Sequence, residues 1–316
     1  MVFPAAVCLF GPTGSGKSAL ALELARDLPL EIVSVDSVMV YRYMDIGSAK
    51  PSIEERRQVP HHGIDLVDPC EPYSVGAFLE EARDACACIW AKGRLPLLVG
   101  GTMMYFWALA KGLSPLPQTS PETRQWLLLR LEEEGLLRLY EELGEKDPKA
   151  ASSLHAGDTQ RILRALEVWH EKKIPWSSYH ALSSIPFLPP EKGLWLAIWP
   201  SARDELRPRL LARFLEMLEK GLEEEVAYLK NRFCLTSGDP PLRSVGYREM
   251  AEVLEGKLKR EQLPAQALLA NLALAKKQLT WMRRFTPFSE KLSFSDPHLL
   301  AKAKDRVEQA AALFCA

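Results

Sequence analysis

Short apolar runs alternate along this chain with longer stretches in which apolar residues recur every three or four positions. Ala5–Phe10 (AAVCLF) is apolar throughout and closed by Gly11-Pro12. That pattern predicts a strand covered on both faces. Ser18–Leu28 places Leu20, Leu24 and Leu28 on one helical stripe, and Glu31–Val35 predicts a second strand ending at Asp36. Tyr73–Lys92 predicts a helix with Phe78, Ala82, Ala85 and Ile89 facing inward and Gly93 closing it. Leu95–Val99 and Leu194–Trp199 are further apolar strands, the first running into Gly100-Gly101-Thr102. Strands alternating with amphipathic helices predict a parallel sheet covered by helices.

From about Leu116 the pattern changes. Glu122–Leu143 and Asp158–Lys173 are helical in period, no strand intervenes, and the stretch ends in the proline-rich Ile185–Pro190. The expected fold is therefore α/β, with a catalytic core formed by residues 1–117 plus 191–316. A helical insertion is expected over 118–190. Three more helices are predicted at Ser201–Lys220, Leu222–Asn231 and Ala265–Arg284. Pro208 is expected to split the first of them, so that a second helix starts near Arg209.

With 47% apolar and 26% charged residues in 316, the chain has the composition of a folded globular protein. The formal net charge of −1 does not advertise nucleic acid, but it leaves open a basic face balanced elsewhere. The six cysteines (Cys8, Cys70, Cys86, Cys88, Cys234 and Cys315) form no CxxC pair and no zinc spacing. Disulfides are not expected, and the cytoplasm is the expected compartment. Met1–Phe10 reads as a first strand rather than a signal peptide, and no apolar run is long enough to span a membrane.

The strongest chemical signal is Gly11-Pro12-Thr13-Gly14-Ser15-Gly16-Lys17-Ser18, a complete G-x-x-x-x-G-K-[ST] between a predicted strand and a predicted helix. Glycines let successive N–H groups turn into one concavity, the helix adds its positive end, Lys17 adds a cation, and Ser18 is placed to ligate Mg²⁺. The motif predicts a P-loop NTPase-like core that binds a polyphosphate, without saying which one.

Ligands of open α/β sheets gather at the carboxyl ends of strands. Asp36 stands at one such end, as a proton acceptor or as a helix cap. Thr102 stands at another, as a hydrogen-bond donor to a developing oxyanion or, again, as a cap. His61-His62 lacks a third ligand and reads as structural or phosphate-proximal rather than as a metal site.

The order of segments through nearly the whole chain resembles the bacterial tRNA dimethylallyltransferases (tRNA isopentenyltransferases). They are GPTGSGKS (11–18), SVDSVMVYRYMDIGSAKP (34–51), VPHHGIDLVDP (59–69), LLVGGTMMYF (97–106), GLSPLP (112–117), DTQRILRALEV (158–168), RSVGYREM (243–250) and KKQLTWMRR (276–284). The resemblance implies transfer of a dimethylallyl group from dimethylallyl diphosphate to N6 of adenosine 37, in the anticodon stem-loop of tRNA, with Mg²⁺. The P-loop then holds the donor's diphosphate rather than ATP, in an enzyme expected to be a monomer.

Carried over position by position, the catalytic set is Lys17, Asp36, Thr102 and Arg213, with Asp36 taking the proton of the adenine amine and Arg213 reaching the diphosphate. The implied tRNA contacts are Asp36, Ser37, Val38, Met39, Thr102, Arg124, Gln160, Arg161, Ile162, Leu163 and Arg164, together with Arg243, Ser244, Val245, Gly246, Tyr247 and Arg248. Lys276, Lys277, Arg283 and Arg284 read as solvated or general phosphate contacts. Met39 departs from the family, which commonly has glutamine there, so an amide contact to the base is not expected at this position. No Cys/His module follows the last helix, which favours a bacterial or organellar form. The rival expectations are a P-loop kinase, which would turn over ATP, and a nonenzymatic tRNA-binding P-loop switch.

Overall fold

The opening apolar run becomes β1 (Ala6–Phe10), buried at every position. The computed structural model describes residues 6–179 and 185–314; Ala5, read as the start of the first strand, and Cys315 lie outside them. After β1 come α1 (Lys17–Asp27), β2 (Leu30–Val35), α2 (Ile53–Gln58), β3 (His61–His62), α3 (Val75–Ala91), β4 (Leu95–Gly100) and α4 (Met103–Lys111). Four helices follow: α5 (Pro121–Lys146), α6 (Pro148–Ser153), α7 (Thr159–Lys172) and α8 (Trp176–Tyr179). The chain then forms β5 (Gly193–Trp199), α9 (Leu206–Glu219), α10 (Leu222–Phe233), α11 (Tyr247–Leu254), α12 (Leu263–Met282), β6 (Glu290–Ser293) and α13 (Leu299–Phe314). None of the helices of the described residues is long and apolar enough to cross a membrane.

The six strands form one sheet in the order β3-β2-β4-β1-β5-β6, parallel at every pairing. A parallel sheet must be covered on both faces, which is why β1 is apolar at consecutive positions. Ala6, Cys8 and Phe10 enter one core with Phe78, Phe106, Trp195 and Phe285, while Val7 and Leu9 enter the other with Leu20, Leu24 and Val307. The register levels the strand ends. Phe10 pairs with Gly100 and Ala197, and Gly100 also pairs with Val35. The segments that follow Phe10, Val35 and Gly100 therefore leave the sheet side by side. Gly100 permits this closeness: a Cβ there would lie 1.9 Å from the Val35 carbonyl oxygen.

β3 is two residues long and owes its place to polar contacts. His62 Nε2 lies 2.8 Å from a carboxylate oxygen of Glu31, which is also bonded by Lys92 at 3.0 Å. Burial pushes Glu31 up, but the hydrogen bonds from His62 and Lys92 outweigh it and hold the carboxyl below its usual range. His61 bonds the Val59 carbonyl oxygen at 2.7 Å. Both histidines are thus occupied in fastening an edge.

The chain divides into two units, residues 1–110 with 187–316 and residues 111–186. Among its described residues the second holds helices and no strand. Its core joins Leu127, Leu139 and Leu143 of α5 to Ala150 and to Ile162, Leu163 and Leu166 of α7. Gly135, with φ 81° and ψ 162°, kinks α5 between its two halves.

Pro208 does not divide a helix. A 3-10 turn at Arg203–Glu205 leads into α9, which starts at Leu206 and carries Pro208 in its first turn. An N–H there has no intrahelical acceptor to lose, so proline is accommodated without a break.

Candidate active site

The glycine-rich loop leaves β1 and enters α1 as its motif demands. Gly14 and Gly16 hold φ of +80° and +79°, a left-handed backbone that glycine adopts without strain. Gly16 caps α1, no side chain bonds the cap, and no acidic residue occupies the first turn. The orphan N–H groups of the helix start therefore face an anion site with no protein carboxylate competing for them. Ser15 is buried with its hydroxyl unpartnered, and the Lys17 ammonium reaches the Pro12 carbonyl oxygen at 3.3 Å.

Helix α9 lies against this loop. Leu210 comes within 3.0 Å of where a Cβ on Gly14 would stand, and an Arg209 nitrogen within 3.3 Å of the same point on Gly16. One turn further on, Arg213 repels Lys17. Burial and, after it, the charge of Arg213 lower the Lys17 pKa to about 8, with Asp36 opposing both. Burial likewise lowers Arg213, against the pull of Asp36 and Glu216. Two cations thus share the charge of Asp36 at the mouth of the phosphate loop.

This arrangement sets a pH dependence for diphosphate binding. Below about pH 8 Lys17 is charged and binds an anion fully. Above it the free protein holds neutral lysine, so binding must take up a proton and affinity should fall by up to about tenfold per pH unit. Calorimetry in buffers of different ionisation enthalpy should record that uptake near pH 8, and Arg213→Gln should move its onset upward.

The turn that opens with Asp36 meets Thr102 beyond the ends of neighbouring strands. Asp36 Oδ1 accepts the backbone N–H of Val38 at 2.8 Å and of Met39 at 3.3 Å. It therefore folds a turn, and the next helix, α2, starts far downstream. Oδ2 makes no hydrogen bond among the described residues. Thr102 Oγ1 accepts the Ser37 N–H at 3.2 Å and lies 3.5 Å from the Ser37 hydroxyl, so this side chain ties the two loops together. Met39 is engaged through its sulfur, 3.6 Å from the Ser34 hydroxyl.

Three residues that sequence reasoning left without a role organise these loops. Gln278 of α12 accepts the Thr13 N–H at 2.9 Å and donates to the Gly101 carbonyl oxygen at 2.9 Å, joining the phosphate loop to the turn before Thr102. Lys50, almost fully buried, bonds the Tyr41 carbonyl oxygen at 2.8 Å, Asp45 at 2.6 Å and Asp65 at 2.7 Å. Glu225 of α10 accepts the N–H groups of Asp45, Ile46 and Gly47 and the Tyr247 hydroxyl. Gln278 and Lys50 fall inside the motif segments quoted above; Glu225 lies outside all of them. Gln278→Met, which keeps length but loses both bonds, should weaken diphosphate binding about tenfold. Calorimetric affinity equal to wild type would remove Gln278 from the site.

Comparison with known proteins identifies the family. A family model described as IPP transferase matches residues 39–285, and one described as isopentenyl transferase matches residues 4–61. The chain belongs to the IPP transferase family. It is 45% identical over 282 residues to a tRNA dimethylallyltransferase of Thioalkalivibrio sulfidiphilus, covering 89% of this chain and 88% of that one. It is 46% identical over 283 residues to another from Methylococcus capsulatus, covering 90% of each. The crystal structure of a tRNA isopentenylpyrophosphate transferase from Bacillus halodurans superposes with a TM-score of 0.69 at 29% identity, over 99% of this chain and 98% of that one. A eukaryotic dimethylallyltransferase acting on tRNA superposes with a TM-score of 0.78 at 25% identity, over 98% of this chain and 78% of that one.

Seen as an IPP transferase, the chain divides the expected tRNA contacts into surface and core. Gln160 and Arg161 are exposed on α7, and Arg161 pairs with Asp158 at 3.0 Å. Arg124 and Arg164 both pair with the buried Glu167, and Arg164 also bonds Thr119 and the Pro117 carbonyl oxygen. Ile162 and Leu163 are corrected: their side chains fill the core of the second unit and have no face to offer RNA. Gly246 and Tyr247 are corrected likewise: Gly246 is buried with its N–H on Glu249, and Tyr247 is wholly buried with its hydroxyl on Glu225. Arg243 is exposed, while Ser244, Val245 and Arg248 are half-buried, and Arg248 pairs with Glu249.

Proposed function

We propose that this protein transfers a dimethylallyl group from dimethylallyl diphosphate to N6 of adenosine 37 in tRNA, releasing diphosphate. The observation that carries the reading is the gathering of Lys17, Arg213 and Asp36 around an uncapped helix start. The allylic C–O bond breaks and leaves its electron pair on the diphosphate. Lys17, Arg213 and the N–H groups of the loop stabilise that charge. The N6 lone pair forms the new C–N bond, and the N6 proton passes to Asp36 through Oδ2. Oδ1 stays committed to the turn, so the base keeps its aim.

Ser18 is exposed in the first turn of α1, and its hydroxyl makes no hydrogen bond among the described residues. One hydroxyl beside a phosphate cradle suits Mg²⁺, which takes few protein ligands and completes its shell with phosphate oxygens and water. Its charge would add to that of Lys17 on the leaving group. A flipped-out base is required, since N6 is out of reach inside a stacked loop. The protein is expected to act as a cytoplasmic monomer on the anticodon stem-loop.

The test is incubation with unmodified tRNA, Mg²⁺ and radiolabelled dimethylallyl diphosphate, with ATP turnover followed in parallel. Label in the RNA, mapped to adenosine 37 and independent of ATP, supports the reading. Unlabelled RNA with ATP consumed overturns it in favour of a kinase.

A further inference from the structure

On the first unit, three aromatic rings surround one arginine. Tyr43 lies in the loop that follows β2, in the segment that opens with Asp36–Met39. Its φ is +65°, a left-handed backbone that a bulky side chain rarely adopts. Tyr43 is 38% exposed, and its ring meets Tyr228 of α10 at 5.7 Å and Phe233 at 5.8 Å between centroids. Tyr228 is 44% exposed. The Arg232 guanidinium stands 5.5 Å from the Tyr43 ring, 5.9 Å from Tyr228 and 5.5 Å from Phe233.

Most carboxylates near this cluster along the chain are engaged, and Glu224, one turn before Tyr228 on α10, is the exposed acid among them without an ion pair among the described residues. Asp45 pairs with Lys50, Asp68 with Arg42 and Glu255 with Lys230, while Glu225 is spent on backbone N–H groups and the Tyr247 hydroxyl. Arg232 is exposed and makes no ion pair among the described residues. A solvent-facing tyrosine pair with an exposed guanidinium offers ring faces to a nucleobase and a cation to its phosphate. The backbone at Tyr43 is held in an unfavourable region while the residue stays exposed, so core packing does not account for it.

We infer that Tyr43, Tyr228 and Arg232 form a stacking platform for an unpaired nucleotide of the tRNA, separate from the residues that carry the transfer. This rests on tRNA being the acceptor. Along the chain the platform is continuous with Asp36–Met39, so RNA delivered to Asp36 is the occupant favoured over a protein partner.

The experiment measures binding of unmodified tRNA to the full chain as a function of salt, alongside the transfer assay. Tyr43→Gly combined with Tyr228→Ala should weaken tRNA binding about tenfold or more, while Tyr228→Phe should bind as wild type does. Arg232→Gln should lower the slope of log affinity against log salt by about one. Diphosphate affinity and kcat at saturating tRNA should stay at wild-type values in every variant. Tyr228→Ala and Arg232→Gln alter exposed helix positions and serve as folded controls for the Tyr43 change. If wild type labels tRNA and the variants bind it with unchanged affinity and salt slope, the platform is overturned and the transferase reading stands; a protein partner then becomes the occupant to seek. If wild type neither binds nor labels tRNA, both fall together.

Discussion

Lys17→Met should lower prenyl transfer at saturating substrates by about 10³-fold, and it should do so while making the protein more stable. The first effect follows from charge. Departure of an allylic diphosphate concentrates negative charge in a cradle of N–H groups, and loss of one well-placed donor in such a site costs about 10²–10³ in rate. Lys17 is a full cation there, with Arg213 beside it. The second effect follows from linkage. The folded-state pKa of about 8 lies below the usual lysine value of 10.5, so folding disfavours the charged form. Between those two pH values stability rises as pH rises, and below pH 8 the full penalty is present. Removing the charge at pH 7 removes that penalty, so the melting temperature should increase by a few degrees. Single-turnover transfer and thermal melts of the same preparation check both halves. A variant that melted lower and still transferred would leave Lys17 as a packing residue.

Asp36→Asn should cost about 10²–10⁴ in kcat and leave tRNA affinity within a few fold. The amide retains an acceptor for the Val38 and Met39 N–H groups, so the turn is kept and only the proton acceptor is lost. This makes asparagine a cleaner test than alanine, which would also release the loop. Rate and affinity falling together would make Asp36 a structural residue, and a kcat like wild type would exclude it as the base.

The central strands, the covering helices α1, α3 and α12 and the phosphate loop were legible because each is written locally, as an apolar run, a 3.6-residue period or a contiguous motif. β3 was not, since His61-His62 has neither apolar run nor alternation and is held by Glu31, thirty-one residues from His62. β6 reads Glu-Lys-Leu-Ser and takes its place only by pairing with β5. Short α2 and α11 lack a long period to announce them, whereas α13 carries Ala303, Val307 and Ala310 on one buried stripe and is not among the predicted helices although its period is long enough to read. In the site, Lys17 is announced by the glycine-rich motif, and Asp36 and Thr102 stand just past strand ends and could be found there. Gln278 could not be assigned, because a polar residue on a helix acquires meaning only from Thr13 and Gly101, 265 and 177 positions away. Ile162, Leu163 and Tyr247 show the opposite failure: a segment that resembles a binding motif includes residues whose work is to hold that segment's shape.

The distance from Thr13 to Gln278 also has a bearing on how the chain is made. The ribosome delivers the phosphate loop among the first twenty residues, yet β1 waits for β4 and then for β5 to flank it. The clamp on Thr13 arrives only with α12, and the carboxylate that gathers the 45–47 loop only with α10. A nascent chain lacking its last forty residues therefore carries every residue of the glycine motif but not the side chain that secures it. Non-local closure of this kind is slow and leaves apolar strands uncovered meanwhile. The earliest-synthesised part of the site is thus the last to be completed, and competence to bind diphosphate should appear on the ribosome only after α12 has emerged.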